Sequence, residues 1–139
     1  MSKLTFPHFT ESAFTHSKIA LKHAIDNSLP ESLRPAMEVT LAGMERIRAY
    51  LGAPCQETSG YRSDQVNRLA GGVDDSQHER AEAMDFVSPA FGTPREVFKR
   101  LEPMMGALGI DQLILEASWV HCSFTLRPRC VAYDYTVKR

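Results

Sequence analysis

Asp111-Gln112-Leu113-Ile114-Leu115-Glu116, then Ala117-Ser118, then Trp119-Val120-His121-Cys122-Ser123-Phe124 is the stretch that decides the fold. Two apolar runs separated by two small residues predict a β-hairpin. In the second run, alternation puts Trp119, His121 and Ser123 on one face and Val120, Cys122 and Phe124 on the other. Arg127-Pro128 is short enough for a second hairpin, so strands are expected over 111–116, 119–126 and 129–137.

Upstream of this sheet the pattern is mostly helical. Thr10 is placed to cap a helix over 11–25, whose apolar residues Ala13, Phe14, Ile19, Ala20, Ala24 and Ile25 form one stripe. From Glu31 the series Leu33, Met37, Leu41, Met44, Ile47, Leu51 repeats at three and four until Gly52-Ala53-Pro54 ends it. A short segment at 56–61, a capped helical turn or two at 63–69 and a polar loop at 73–80 follow. Alternation at 81–87 predicts a strand, and Thr93-Pro94 opens a helix to about Met105 that Gly106 and Gly109 close. Helices first and an antiparallel sheet after them give an α+β fold, N-terminal helices packed on a small, mainly antiparallel sheet. One domain is expected over 1–139, with a helical N-terminal part at 1–54 and a catalytic core at 55–139.

Composition narrows the partners. The 139 residues carry 16 Lys plus Arg against 17 Asp plus Glu, a formal net charge of −1. With no basic patch interleaved with aromatics, nucleic-acid binding has little electrostatic basis. No apolar run approaches the ~20 residues of a membrane helix, and Met1 to Thr10 holds no signal-peptide core. The expectation is a protein that does not insert in membranes, lacks a Sec signal and is cytoplasmic when made. Cys55, Cys122 and Cys130 are too few and too scattered for a disulfide framework, and read as reduced, buried thiols.

The histidines come next, because metals and proton transfers use them most. His16 and His23 lie seven apart on the predicted first helix, about 10.5 Å of rise, too far to share one ion. His8, in a Pro-flanked segment, reads as structural or exposed. In Ser76-Gln77-His78-Glu79-Arg80-Ala81-Glu82-Ala83-Met84-Asp85, a loop histidine precedes an acid set in an apolar strand. Glu79, Glu82 and Asp85 read alternatively as a solvated face. Glu82 in the fifth position removes the helical His-Glu-x-x-His site. An unpaired carboxylate between Met84 and Phe86 would cost several kcal/mol, so Asp85 demands a partner, and a cation is one. His78, Asp85 and His121 make a plausible three-ligand zinc set with the fourth tetrahedral position left for water. Glu116 ends its strand just before the hairpin turn, near His121, where a general base belongs; a solvated strand-end acid is the plainer reading.

These blocks carry a resemblance. Ser59-Gly60-Tyr61-Arg62-Ser63, Asn67, Gly71-Gly72, Ser76-x-His78, Ala83-x-Asp85-Phe86, Asp111-Gln112-Leu113-Ile114-x-Glu116 and Trp119-Val120-His121 resemble the zinc D-Ala-D-Ala carboxypeptidase family, which includes phage endolysins. Phe9-Thr10-Glu11-Ser12 and Ile25-Asp26-Asn27 resemble its compact phage and prophage members. The resemblance implies one Zn2+ per chain on His78, Asp85 and His121, with Glu116 as general base. It implies that Arg62 stabilises negative charge on the scissile carbonyl, Ser76 helps hold the substrate carboxylate and Trp119 walls the cleft. Without it, Arg62 would read as an arginine satisfying loop carbonyls, Ser76 as a turn serine and Trp119 as core. Cys122 alternates away from His121 and reads as core, not as a nucleophile. One position departs from the family pattern: Ala81 stands where glycine is common, which matters if the backbone there needs a positive φ.

The function implied is a zinc peptidase cutting a bond that involves D-amino acids in peptidoglycan stem peptides or cross-links. Its partners would be the stem peptide and a phage particle or lysis machinery, since without a signal peptide it would reach the wall only after release. The alternative is a non-catalytic structural or wall-binding module of a virion in which zinc only holds the fold. A structural site needs neither a base nor an oxyanion donor, and usually closes with four protein ligands.

Overall fold

The computed structural model describes residues 6–137, so the opening reading of Met1 to Thr5 and the extreme ends of the 1–139 domain lie outside the described residues. Its element order is α1 (Glu11–Thr15), α2 (Lys18–His23), α3 (Arg34–Leu51), β1 (Gln56–Ser59), α4 (Asp64–Leu69), β2 (Ala83–Val87), α5 (Pro94–Leu101), α6 (Met105–Leu108), β3 (Gln112–Leu115), β4 (Val120–Ser123) and β5 (Val131–Asp134). Short 3-10 turns lead into α3 and join α5 to α6. The α+β reading holds.

The five strands lie in the order β1-β2-β4-β3-β5. Neighbours are antiparallel except for β5, which runs parallel to β3. The expected second hairpin at Arg127-Pro128 is therefore absent. Asp111 supplies the reason: its carbonyl accepts the Val131 N–H at 3.0 Å and its carboxylate accepts three bonds from Arg129, which carries the chain past β4 to the outer edge of β3. The β3–β4 hairpin forms as read, with Leu115 opposite Val120 and the Glu116 N–H donating to the Trp119 carbonyl at 3.0 Å.

The core lies between the helices and one face of the sheet. Met37, Leu41, Met44 and Ile47 of α3 meet Met84, Phe86, Leu113, Val120, Cys122 and Phe124, all buried. Gly43 is required there, since a Cβ would stand 2.2 Å from the Phe124 ring. β2 is buried on both faces instead of alternating, which sets Asp85 among the apolar Ala83, Met84 and Phe86.

The helix expected over 11–25 is two short helices. The break at His16-Ser17 has a specific cause: the Phe14 carbonyl accepts the Tyr61 N–H at 2.9 Å and the Thr15 carbonyl accepts from Asn27 Nδ2 at 2.8 Å. Ser17 then caps the next helix through the Ala20 N–H. Of the three thiols, Cys122 is buried, Cys55 half-buried and Cys130 exposed, which corrects the reading of all three as buried.

Candidate metal centre

Sheet register builds the site. Asp85 on β2 is the direct cross-strand partner of His121 on β4, His121 pairs with Ile114 on β3, and Ser59 pairs with Asp85 across a bulge in β1. Paired residues share a face, so these four form one row on the side of the sheet away from the helical core. His78 comes from the turn segment before β2 and is tied to the Ser59–Ser63 loop twice. Its Nδ1 stands 2.7 Å from the Gly60 carbonyl, and its own carbonyl accepts the Arg62 N–H at 3.1 Å. A carbonyl cannot donate, so Nδ1 carries a hydrogen, and Nε2, which faces Asp85, is the nitrogen that a metal ion would take.

Three donor sets converge. His121 Nδ1 is 2.9 Å and His78 Nε2 3.4 Å from Asp85 Oδ1. Ligand atoms around a tetrahedral zinc at ~2.0–2.1 Å stand roughly 3.3 Å apart, so the arrangement fits such an ion. One ligand atom from each of the three residues lies within 4.8 Å of the others, and two of the three residues are buried. Asp85 thus has the cationic company its apolar strand demands. Burial alone would push its carboxyl up, but hydrogen bonds from His121 and His78 and their charges outweigh burial and hold it well below the usual carboxylate range.

Arg62 stands beside this group. Its Nε donates to Ser59 Oγ at 3.0 Å, one terminal nitrogen donates to Asn67 Oδ1 at 3.3 Å, and the other lies 3.5 Å from Asp85 Oδ2. A guanidinium carries five N–H groups, so some remain for a ligand. Burial lowers its pKa, and the Asp85 charge opposes that fall. Ser76 gives its hydroxyl hydrogen to Asn67 Oδ1 at 3.2 Å; holding a substrate carboxylate would require that hydrogen to swing to the ligand.

All seven residues expected at the site, His78, Asp85, His121, Glu116, Arg62, Ser76 and Trp119, line one cavity of about 510 Å³. Glu116 stands at the hairpin turn with its pKa raised, first by burial and then by the Asp85 charge, with His121 pulling the other way. Cys122 is on the core face, its thiol pushed well up by burial and donating to the Met84 carbonyl, as its reading as core requires. His8 pairs with Glu45 of α3 at 2.7 Å, while His16 and His23 are exposed and away from the cavity.

Ala81 has φ +60° and is fully buried. The backbone does need the left-handed conformation that glycine adopts freely, and alanine adopts it at a cost of about 1–2 kcal/mol. Thr40 of α3 holds this bend by donating to the Ala81 carbonyl at 2.7 Å.

Three polar residues at the site were given no role from sequence. Asn27 donates to the Thr15 and Tyr61 carbonyls and accepts the Ser63 N–H, clamping the loop that carries Arg62. Asn67 joins Arg62 to Ser76. Asp111 accepts from Gln77, the neighbour of His78, and from Ser123 and Arg129. A signal existed for Asp111: an acid beginning an apolar strand needs partners, by the argument applied to Asp85.

Residues 7–123 match the family model described as Peptidase M15. The chain belongs to this family, the zinc D-Ala-D-Ala carboxypeptidase type that its motifs resemble, and the family makes it a zinc-dependent type of metallopeptidase. A search of the curated proteins returns no match. Among the described residues no helix is long and apolar enough to cross a membrane.

Proposed function

We propose that the protein hydrolyses a peptide bond involving a D-amino acid in peptidoglycan stem peptides or their cross-links, with one zinc per chain held by His78, Asp85 and His121. The observation that carries this reading is the convergence, in one cavity, of a three-residue donor set with an acid of raised pKa and a clamped arginine. A zinc that only held the fold would explain neither Glu116 nor Arg62.

A bound zinc supplies Lewis acidity, bringing water to a pKa near ~7 and polarising the scissile carbonyl. The protein's own groups do the rest. The Glu116 carboxylate takes the proton of the attacking water and passes it to the leaving amine nitrogen, a transfer that its raised pKa assists. The free N–H groups of Arg62 face the developing charge on the carbonyl oxygen, and three fixed partners remove the need to reorganise as that charge forms. Ser76 holds the substrate carboxylate, and Trp119 walls the cleft. The protein acts on the wall after release from the cytoplasm, through phage lysis machinery or as part of a particle.

Mass spectrometry of muropeptides incubated with the zinc-loaded protein tests the reading. Products shortened at a D-amino acid bond are expected. An unchanged digest alongside stoichiometric zinc would favour the structural module.

A further inference from the structure

Arg62 and Ser76 approach the cleft from different loops, yet both donate to one atom, Asn67 Oδ1, at 3.3 and 3.2 Å. Asn67 lies on α4, whose first turn is capped by the Ser63 hydroxyl, and is fully buried. It does not line the cavity, so it cannot touch substrate. One of its two amide N–H groups is also committed, since Nδ2 donates to the Val73 carbonyl at 2.7 Å. That bond fixes which end of the amide faces Arg62: a carbonyl can only accept, so the nitrogen points to Val73 and the oxygen to the two donors.

The neighbouring loop is shaped around this oxygen. A Cβ on Gly72 would stand 2.1 Å from Asn67 Oδ1, closer than any real contact allows. The Gly72 N–H also donates to the Asn67 carbonyl at 2.9 Å. Glycine at 72 is thus explained by passage of the amide oxygen towards Arg62 and Ser76, not by its own dihedral angles.

We propose that Asn67 is a positioning residue: its buried amide oxygen holds the Arg62 guanidinium and the Ser76 side chain side by side at one end of the cleft, Arg62 for the scissile carbonyl and Ser76 for the substrate carboxylate once its hydrogen swings from Asn67 to the ligand. This deepens the peptidase reading and rests on it for the roles of Arg62 and Ser76. Without the shared acceptor, Arg62 keeps Ser59 and Asp85 but loses the partner that fixes its first terminal nitrogen, and Ser76 loses its only side-chain partner among the described residues.

The test uses the full zinc-loaded chain as parent, Asn67→Ala, Asn67→Asp, Gly72→Ala, Arg62→Ala and the Asn67→Ala/Arg62→Ala double variant. Zinc content, Tm, kcat and KM on a muropeptide, and the Arg62 Nε–H resonance are measured for each. Asn67→Ala is expected to retain zinc, to lower kcat/KM at least about tenfold, and to broaden the Arg62 resonance. Asn67→Asp keeps the oxygen that faces Arg62 and Ser76 but sets a second oxygen against the Val73 carbonyl, so it is expected to recover part of the loss, whereas Gly72→Ala, which displaces the oxygen from the other side, is expected to reproduce it. In the Arg62→Ala background, removing Asn67 should cost much less than it does alone, because the group it positions is gone. Parental kcat/KM in a zinc-holding Asn67→Ala protein would overturn the proposal, as would an equal loss in both backgrounds. Where Asn67→Ala does not fold, Asn67→Asp and Gly72→Ala decide on the same criteria. If the parent cleaves no muropeptide, the peptidase reading fails by itself, and an Arg62 resonance unchanged by Asn67 substitution would then separately refute the positioning role.

Discussion

Glu57→Gln should make the protein more stable at neutral pH, and the gain should grow with pH. The Glu57 carboxyl sits on β1 beside Gly60, its Oε2 is buried and has no hydrogen-bond partner, and burial raises its pKa from 4.5 to about 8. In the unfolded chain it ionises near 4.5. A folded-state pKa above the unfolded one means that the native protein binds more protons between the two values, so stability falls as pH rises through that window. The contribution is fully present below about pH 4.5 and lost as pH approaches 8. Integrated from pH 5 to pH 7, the loss is about 2–3 kcal/mol, a large share of the 5–15 kcal/mol typical of a domain. Glutamine keeps the side chain's size and cannot ionise, so it lacks this term. Urea unfolding of zinc-saturated parent and variant, followed by far-UV circular dichroism at half-unit steps from pH 5 to 8.5, reads the difference directly. Other titrating groups, the metal ligands included, are common to both proteins and cancel. The two stability curves should diverge by about 2–3 kcal/mol across pH 5–7; parallel curves would show that Glu57 ionises as freely in the folded protein as in the unfolded one, and the burial argument would be wrong.

Metal analysis should find one zinc per parent chain and little in His121→Ala; equal content would remove His121 from the donor set. Glu116→Gln is expected to keep zinc while turnover falls ~10²–10⁴-fold, the usual worth of a positioned base, and a variant with parental turnover would strip Glu116 of that role. Arg62→Lys keeps the charge but not the planar fork, so kcat/KM should fall at least about tenfold with zinc unchanged, as steady-state kinetics would show. Ala81→Gly trades a lost buried methyl of ~0.8 kcal/mol and added unfolded-chain freedom of ~0.4–1 kcal/mol against relief of ~1–2 kcal/mol of left-handed strain. It should therefore leave stability within about 1 kcal/mol of the parent, whereas Ala83→Gly on β2, equally buried but with no positive φ to relieve, should cost more; equal losses in urea would show that Ala81 is unstrained.

The β3–β4 hairpin was legible because its signal is local: two apolar runs, two small residues between them, and an alternation that separates His121 from Cys122. The Asp85 carboxylate was legible for an energetic reason, since an acid inside an apolar strand has to be answered by something. What escaped was non-local. The parallel placement of β5 depends on Asp111 gripping Arg129 across the end of the sheet, and nothing in residues 124–130 themselves announces it. The break in the first helix depends on Tyr61 and Asn27 taking carbonyls that the helix would otherwise use, although the apolar stripe runs straight through the break. Asn67 was visible as part of a motif, but its purpose appears only when both ends of its amide are traced to Arg62, Ser76 and Val73. Local periodicity therefore recovered the hairpin and the face on which His121 meets Asp85, whereas buried polar groups set the routes between elements.

With zinc on the proposed donor set, the single cross-strand pairing of Asp85 with His121 would make zinc occupancy a reporter of strand register. A slip of β2 against β4 by one residue would turn one of the two ligands towards the helical core, and a slip by two would carry them about 7 Å apart along the strands. Either error abolishes the donor set while leaving secondary-structure content nearly intact. Bound metal per chain in a refolded or heat-stressed sample would thus count molecules whose central strands are correctly aligned, which circular dichroism cannot do. By the same linkage, zinc supplied during refolding would draw the population towards the aligned pairing, so the ion would act as an editor of the sheet before any substrate arrives.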